Sequence, residues 1–269
     1  MTALAPMLLI NAVALFAAIL LLWRYSVKIK DVSFIDAFWP FGMVLLAWAT
    51  WAQSGAPGAR SHLLLGLTTL WGMRLAWHLW TRWRAHGEDP RYTKIMASTT
   101  AKKGWSWSKT ALLSVFLIQA PLLFITCLPA QLGIWASDGG RTVVGPLAAF
   151  GALIALIGIA FETIGDAQLN RFRSDSANNG KVLDTGLWRY TRHPNYFGDA
   201  CTWWGIWLVA AETGMPGWIS IIGPIFLTFT LTKWSGKPLL EKGMKKTRPE
   251  YAAYIARTSG FFPWPPKKI

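Results

Sequence analysis

The sequence is short of charge, and of acid most of all. Only 15% of its 269 residues are charged, and 13 Asp and Glu stand against 27 Lys and Arg. A soluble domain carries about 25% charged residues, so an ordinary water-facing surface is excluded. Cysteine is scarce as well: Cys127 and Cys201 make neither a disulfide framework nor a zinc cluster. The four histidines, His62, His78, His86 and His193, lack H-E-x-x-H spacing, and no metal site is expected. Neither G-x-G-x-x-G behind a strand nor G-x-x-x-x-G-K-[ST] occurs, which excludes a Rossmann domain and a P-loop. Without a G-x-S-x-G elbow, nucleophilic hydrolysis has no support either.

What the chain does have is apolar length. It is 53% hydrophobic with 18 Trp and 14 Phe, and its mean hydropathy is +0.31. A helix crossing the hydrocarbon core needs about 20 mostly apolar residues. Seven stretches are predicted to cross: 3–23, 34–51, 62–81, 108–128, 143–165, 197–211 and 218–234. The first has no basic residues ahead of its apolar run and no small-residue cleavage site, so it reads as a span and not a cleaved leader. Backbone groups inside lipid must be satisfied within the segment, so the expected fold is all-α, a single seven-helix membrane domain.

Basic residues orient it. The connections hold three, one, seven, one, five, no and nine Lys or Arg in turn, with Arg141 alone after the fourth span. Rich and poor loops alternate as the positive-inside rule requires, which predicts an amino terminus outside and a cytoplasmic carboxyl terminus. The +14 formal charge is then topology and attraction to membrane lipid, and no nucleic-acid partner is expected.

Ionisable residues at span depth mark candidate function. Asp36, Arg74, His78, Glu162 and Asp166 are of this kind. Arg74 and His78 lie four residues apart on one helix face, and so do Glu162 and Asp166. The segment Arg192-His193-Pro194-Asn195-Tyr196-Phe197-Gly198-Asp199 opens the sixth span. Pro194 suits the first turn of a helix, whose free N–H groups favour phosphate, and Asn195 and Asp199 share one face. With Arg171, Arg173, Lys181, Arg189 and Arg192 nearby, a phosphorylated, ribose-bearing ligand is expected.

That segment resembles the bacterial branch of the steroid 5-alpha-reductase family, which is related to sterol reductases and isoprenylcysteine carboxyl methyltransferases. Further similarity lies in Trp71-Gly-Met-Arg-Leu-Ala-Trp-His-Leu79, Glu88-Asp-Pro-Arg-Tyr92, Gly236-Lys-Pro-Leu-Leu-Glu-Lys242 and Arg248-Pro-Glu-Tyr-Ala-Ala-Tyr254. The resemblance implies a seven-span bundle in a bacterial inner membrane that binds NADPH from the cytoplasm and transfers hydride to the conjugated C=C of an apolar enone such as a 3-keto-4-ene steroid. The substrate would enter from the bilayer. Matching motifs would place Asp166, Arg173, Asn195, Tyr196 and Asp199 at the cofactor, with Arg74, Arg91, Lys181, Lys237, Glu241 and Tyr254 as looser matches. Glu162 stands where the eukaryotic branch has Asn, and the tail 235–269 would complete the cofactor site.

Asp36 matches the family's acid near the substrate ketone. Set among Phe34, Phe38, Trp39 and Phe41, it is expected to be protonated and to donate to the carbonyl oxygen. Trp71, near the family's partner Tyr, and His78 are the other catalytic candidates. Two alternatives stand beside this reading. One is an S-adenosylmethionine-dependent membrane methyltransferase, since R-H-P-N-Y-x-G-[DE] occurs in both branches; the other is a non-catalytic lipid-binding protein.

Overall fold

The computed structural model describes residues 3–139, 143–234 and 236–267. Arg141 of the expected outer loop, and Ser235, Lys268 and Ile269 of the expected tail, lie outside the described residues. The chain forms α1 (Leu4–Ile29), α2 (Ile35–Ala52), α3 (Ala59–His86), α4 (Pro90–Lys103) and α5 (Trp107–Ala111). A π turn over Leu112–Phe116 carries α5 into α6 (Leu117–Thr126), and α7 (Leu128–Ala136) and α8 (Pro146–Ser174) follow. The remainder is α9 (Pro194–Ala211), α10 (Met215–Ile219), α11 (Ile222–Phe229), α12 (Lys237–Thr247) and α13 (Tyr251–Arg257). No strand occurs among the described residues. One hydrophobic core runs from Leu15 of α1 to Leu227 of α11.

Among the described residues, five stretches are long and apolar enough to cross a membrane: α1, α2, Trp107–Thr126, α8 and Met215–Thr247. Two of the seven expected spans are not among them. α3 and α9 have the length, at 28 and 18 residues, but not the apolarity. Arg74, His78 and Arg82 interrupt α3, while Asn195 and Asp199 open α9. The stretch expected as one span over 218–234 is broken into α10, α11 and a π turn at Thr230–Trp234. α7 was not expected; it continues the direction of α6 past a break at Cys127, with Pro129 in its first turn.

The tightest packing is between α8 and α9. Gly158 and Gly198 face each other so closely that a Cβ on Gly198 would sit 2.5 Å from the Glu162 nitrogen, and one on Gly158 would sit 2.5 Å from the Gly198 carbonyl. Farther along, a Cβ on Gly205 would meet the Gly151 carbonyl at 2.5 Å. Helices in lipid associate by such close packing of small residues, because apolar burial gives them little driving force. Gly198→Ala is therefore expected to cost about 1–3 kcal/mol, read as a fall in the thermal unfolding midpoint in detergent; an unchanged midpoint would mean the seam yields.

Polar struts fix the other helices. Asn11 of α1, fully buried, donates to Thr50 Oγ1 of α2 at 2.7 Å and to Gln131 Oε1 of α7 at 2.9 Å. At the far end of α9, Glu212 accepts from the Gly145 and Ala148 amides at 2.7 Å each and from Arg60 at 2.8 Å. It thereby caps α8 and ties it to the start of α3.

Candidate active site

The polar residues of α3, α8 and α9 meet at one end of the bundle. α3 and α8 contribute residues of their second halves, α2 and α4 of their first turns and α9 of its first two. Arg74 pairs with Glu162 and, at 2.8 Å, with Asp166. Trp71 Nε1 donates to Glu162 at 3.1 Å, and Asn195 Nδ2 to Asp166 at 3.3 Å. His78 Nε2 lies 3.8 Å from Asp166. The two faces read from i, i+4 spacing thus join in one buried polar cluster. Asp199 faces Glu162 across the α8–α9 seam and is 7% exposed. Its Oδ1 has no hydrogen-bond partner, nor has Nε1 of the fully buried Trp203 one turn on. Trp203 packs edge-on to Trp71 with ring centroids 5.2 Å apart.

A second cluster adjoins it. Gly87 ends α3 at a positive φ of 72°, a conformation that favours glycine. Asp89 then caps α4, accepting from the Arg91 amide at 2.9 Å, and Pro90 fills the first turn. This reversal brings Arg91 and Tyr92 under the start of α2. Tyr92 donates to Asp36 Oδ1 at 2.5 Å, Arg91 donates to Asp36 Oδ2 at 3.0 Å, and Arg82 stands 3.9 Å away. The apolar cage expected around Asp36 is replaced by three donors. Burial first, and the neighbouring Asp36 next, push the Tyr92 phenol well above its ordinary pKa, so the phenol keeps its proton. Tyr196 bridges the clusters, sensing Arg91, Asp36 and Arg82 on one side and Asp199 on the other.

Guanidinium groups converge at the mouth. Arg173 of α8 is close enough to Arg82 of α3 and Arg248, between α12 and α13, to be repelled by both. Arg248 in turn donates to the Lys181 carbonyl. Three like charges drawn together from three elements fit a polyanion.

Other expected residues have partners in the tail. Arg192, 8% exposed, donates to Glu241 at 2.9 Å and to the Ile255 and Thr258 carbonyls. His193 Nε2 lies 3.0 Å from Glu241, and the His193 ring stacks on Tyr196 at 5.2 Å. Tyr254 is buried and donates to the Trp188 carbonyl at 2.5 Å. Lys237 reaches Gly260, where its ammonium would clash with any added Cβ. Arg192 and His193 thus strap α12 and α13 to the head of α9.

Burial alone would raise the Glu241 pKa, but hydrogen bonds from His193 and Arg192 outweigh it and hold it at about 2. Its stabilising effect is full above the unfolded value near 4.5 and vanishes as pH falls through about 2. Hydrogen exchange in α12 and α13 is expected to rise over that window, and Glu241→Gln to remove the pH dependence at a cost of about 2 kcal/mol; a tail equally protected in the variant would dissolve the strap.

The family described as protein of unknown function (DUF1295) matches residues 22–258. The chain belongs to that family. This DUF1295 chain is 22% identical over 275 residues to uncharacterized protein C594.04c of Schizosaccharomyces pombe, covering 90% of the chain and 75% of that protein. It is 29% identical over 120 residues to the probable O-methyltransferase ustE of Ustilaginoidea virens, covering 44% of the chain and 41% of that protein. No solved structure matches it.

Arg82, Tyr92, Arg192, His193 and Arg248 complete these clusters beyond the residues predicted as site residues. Tyr92 and Arg248 lie inside segments that the sequence singles out. Nothing short of the fold signals that Arg82 meets Arg173.

Proposed function

We propose that this DUF1295 member is an NADPH-dependent membrane reductase of an apolar enone, its cofactor mouth turned to the cytoplasm. The observation that carries the reading is the buried network of Arg74, Glu162, Asp166 and Asn195 with the unpartnered Asp199 Oδ1 and Trp203 Nε1 beside it, with Arg82 and Arg248 within electrostatic reach of Arg173 at its edge. NADPH brings a pyrophosphate and a 2′-phosphate, and guanidiniums are the side chains best matched to both. The family's inclusion of steroid 5-alpha-reductase-like proteins gives further support. The chamber behind the mouth fits a cofactor head, because the unpaired Asp199 Oδ1 and Trp203 Nε1 offer one acceptor and one donor, the complement of an amide.

When bound, the nicotinamide supplies hydride to the β carbon, the α carbon takes a proton, and NADP+ remains. The chain's own groups orient and polarise. Asp36 positions the Tyr92 hydroxyl, whose one proton rests on Asp36 in the free site and would turn to a substrate carbonyl oxygen as negative charge develops there. Arg91 and Arg82 fix Asp36 in turn. The donor role expected for Asp36 thereby passes to Tyr92, for which the sequence predicts no role, and the acid becomes the orienting group.

The similarity to an O-methyltransferase favours a second reading, S-adenosylmethionine-dependent methyl transfer. That ligand has no phosphate for the three guanidiniums. Thermal unfolding of protein in detergent separates the two. NADPH at about 100 times its Kd is expected to add about 2.7 kcal/mol, S-adenosylmethionine nothing, and Arg173→Glu to weaken NADPH at least about tenfold. Stabilisation by S-adenosylmethionine alone would transfer the chain to the methyltransferases.

A further inference from the structure

At the end of the bundle that carries Asp36, a group of lysines stands apart from the candidate active site. Two stretches long and apolar enough to cross a membrane meet there, Leu4–Ile29 by its end and Trp107–Thr126 by its start. Trp23 Nε1 of α1 donates to the Ser108 carbonyl of α5 at 3.0 Å, and Thr100 Oγ1 of α4 donates to Thr110 Oγ1 of α5 at 3.1 Å. The three helices are thus pinned at one level, where the hydrocarbon of a bilayer gives way to its headgroups. Lys103 and Lys109 both lie over the Trp105 ring, 5.7 and 5.1 Å from its centroid, and Lys30 lies over Trp107 at 5.0 Å. Lys30 takes a positive φ of 59°, the only non-glycine residue to do so among the described residues. Glycine would close α1 there at less cost, so the side chain accounts for a lysine at that position.

No carboxylate answers these charges. Among the described residues, Lys30, Lys103 and Lys109 take part in no ion pair. Asp31, beside Lys30, is occupied elsewhere: it accepts from the Ser33 amide and hydroxyl at 2.7 Å each and from Trp83 Nε1 at 2.8 Å. Lys28 and Lys102, both exposed, add to the positive field. An indole face attracts an ammonium but leaves its charge in place, and two ammoniums drawn to one ring repel each other.

We propose that Lys30, Lys103 and Lys109, seated on Trp105 and Trp107, bind the phosphodiester of one anionic glycerophospholipid in the leaflet beside the candidate active site. The ammoniums serve as point-charge donors to the phosphate oxygens. The indoles offer the glycerol and upper acyl carbons an apolar floor at headgroup depth. A choline headgroup would bring another cation among the lysines, whereas a glycerol headgroup brings none, so the site selects lipid with net negative charge. The bound phosphate relieves the repulsion between the lysines and holds α1, α4 and α5 together. The site depends neither on the cofactor nor on the reductase reading.

The test uses full-length protein in detergent, titrated with short-chain phosphatidylglycerol, with phosphatidylcholine of the same chains and with inorganic phosphate. The unfolding midpoint is followed in each titration, and native mass spectrometry counts the lipid retained. Phosphatidylglycerol is expected to raise the midpoint and to stay bound as a single copy, because a ligand of the native state alone stabilises it. The other two are expected to leave the midpoint unchanged. Lys103→Gln combined with Lys109→Gln should weaken phosphatidylglycerol at least about tenfold, since each basic residue near an anionic headgroup is worth about a factor of five. Lys245→Gln combined with Lys246→Gln removes the same charge from α12 and should leave the affinity unchanged. Equal weakening by the two double variants would reduce the effect to overall charge and overturn the site. Stabilisation by phosphatidylcholine equal to that by phosphatidylglycerol overturns it too, and so does an equal effect of inorganic phosphate. These last comparisons use the wild type and need no variant to fold.

Discussion

Arg74→Ala is expected to be the most damaging single substitution in the chain. It leaves Glu162 and Asp166 buried beside Asp199 with no cation bonded to any of them, and breaking a buried pair on one side costs about 3–5 kcal/mol. The unfolding midpoint in detergent should collapse, with cofactor binding lost alongside it. Arg74→Lys should rescue little, because an ammonium cannot serve two carboxylates with a planar fork. Adding Glu162→Gln to Arg74→Ala should recover part of the loss, since it removes one of the stranded charges. Additive destabilisation in that double variant would mean the two residues do not interact.

Tyr92→Phe is expected to lower kcat/KM for enone reduction by about 10²–10³-fold, the size of losing one positioned donor to a developing oxyanion. NADPH affinity should hold, because the hydroxyl bonds to Asp36 and not to the guanidiniums of the mouth. Asp36→Asn keeps an acceptor for the phenol and should cost less, about tenfold. Single-turnover hydride transfer followed by loss of enone absorbance measures both. An active Tyr92→Phe beside an inert Asp36→Asn would return the proton to the carboxyl group.

The sequence reveals the membrane character and the chemistry-bearing helices because both are local properties. Apolar runs mark α1, α2 and α8, and i, i+4 spacing pairs Arg74 with His78 and Glu162 with Asp166. It reveals less about α3 and α9 for the same reason that they matter. A helix that turns its polar side chains into a protein chamber loses apolar average, and span length alone then overstates its likeness to α1. The break between α10 and α11 lies where Gly223 packs against the start of α7, a Cβ on Gly223 falling 2.7 Å from Pro129 Cδ, a long-range contact that no local pattern announces. Asp36 illustrates the sharper limit. Its neighbours in sequence are aromatic, but its neighbours in space, Tyr92, Arg91 and Arg82, come from 46 to 56 residues away. Charge environment is a property of the assembled chamber, so the sequence context of Asp36 pointed to a neutral acid where the fold supplies donors. The tail residues Glu241 and Tyr254 were legible only as looser matches to the family's cofactor motifs, and the structure gives them partners within the protein, Arg192 and His193 for Glu241 and the Trp188 carbonyl for Tyr254.

The glycine seam between α8 and α9 also decides where this molecule can breathe. Main chain pressed against main chain has no long side chains to fold aside, so that wall of the chamber behaves as a hinge plate. Any widening that admits a bulky hydrocarbon must be borne elsewhere, as in the π turn over Thr230–Trp234 that follows α11, a weaker spring than a continuous α-helix.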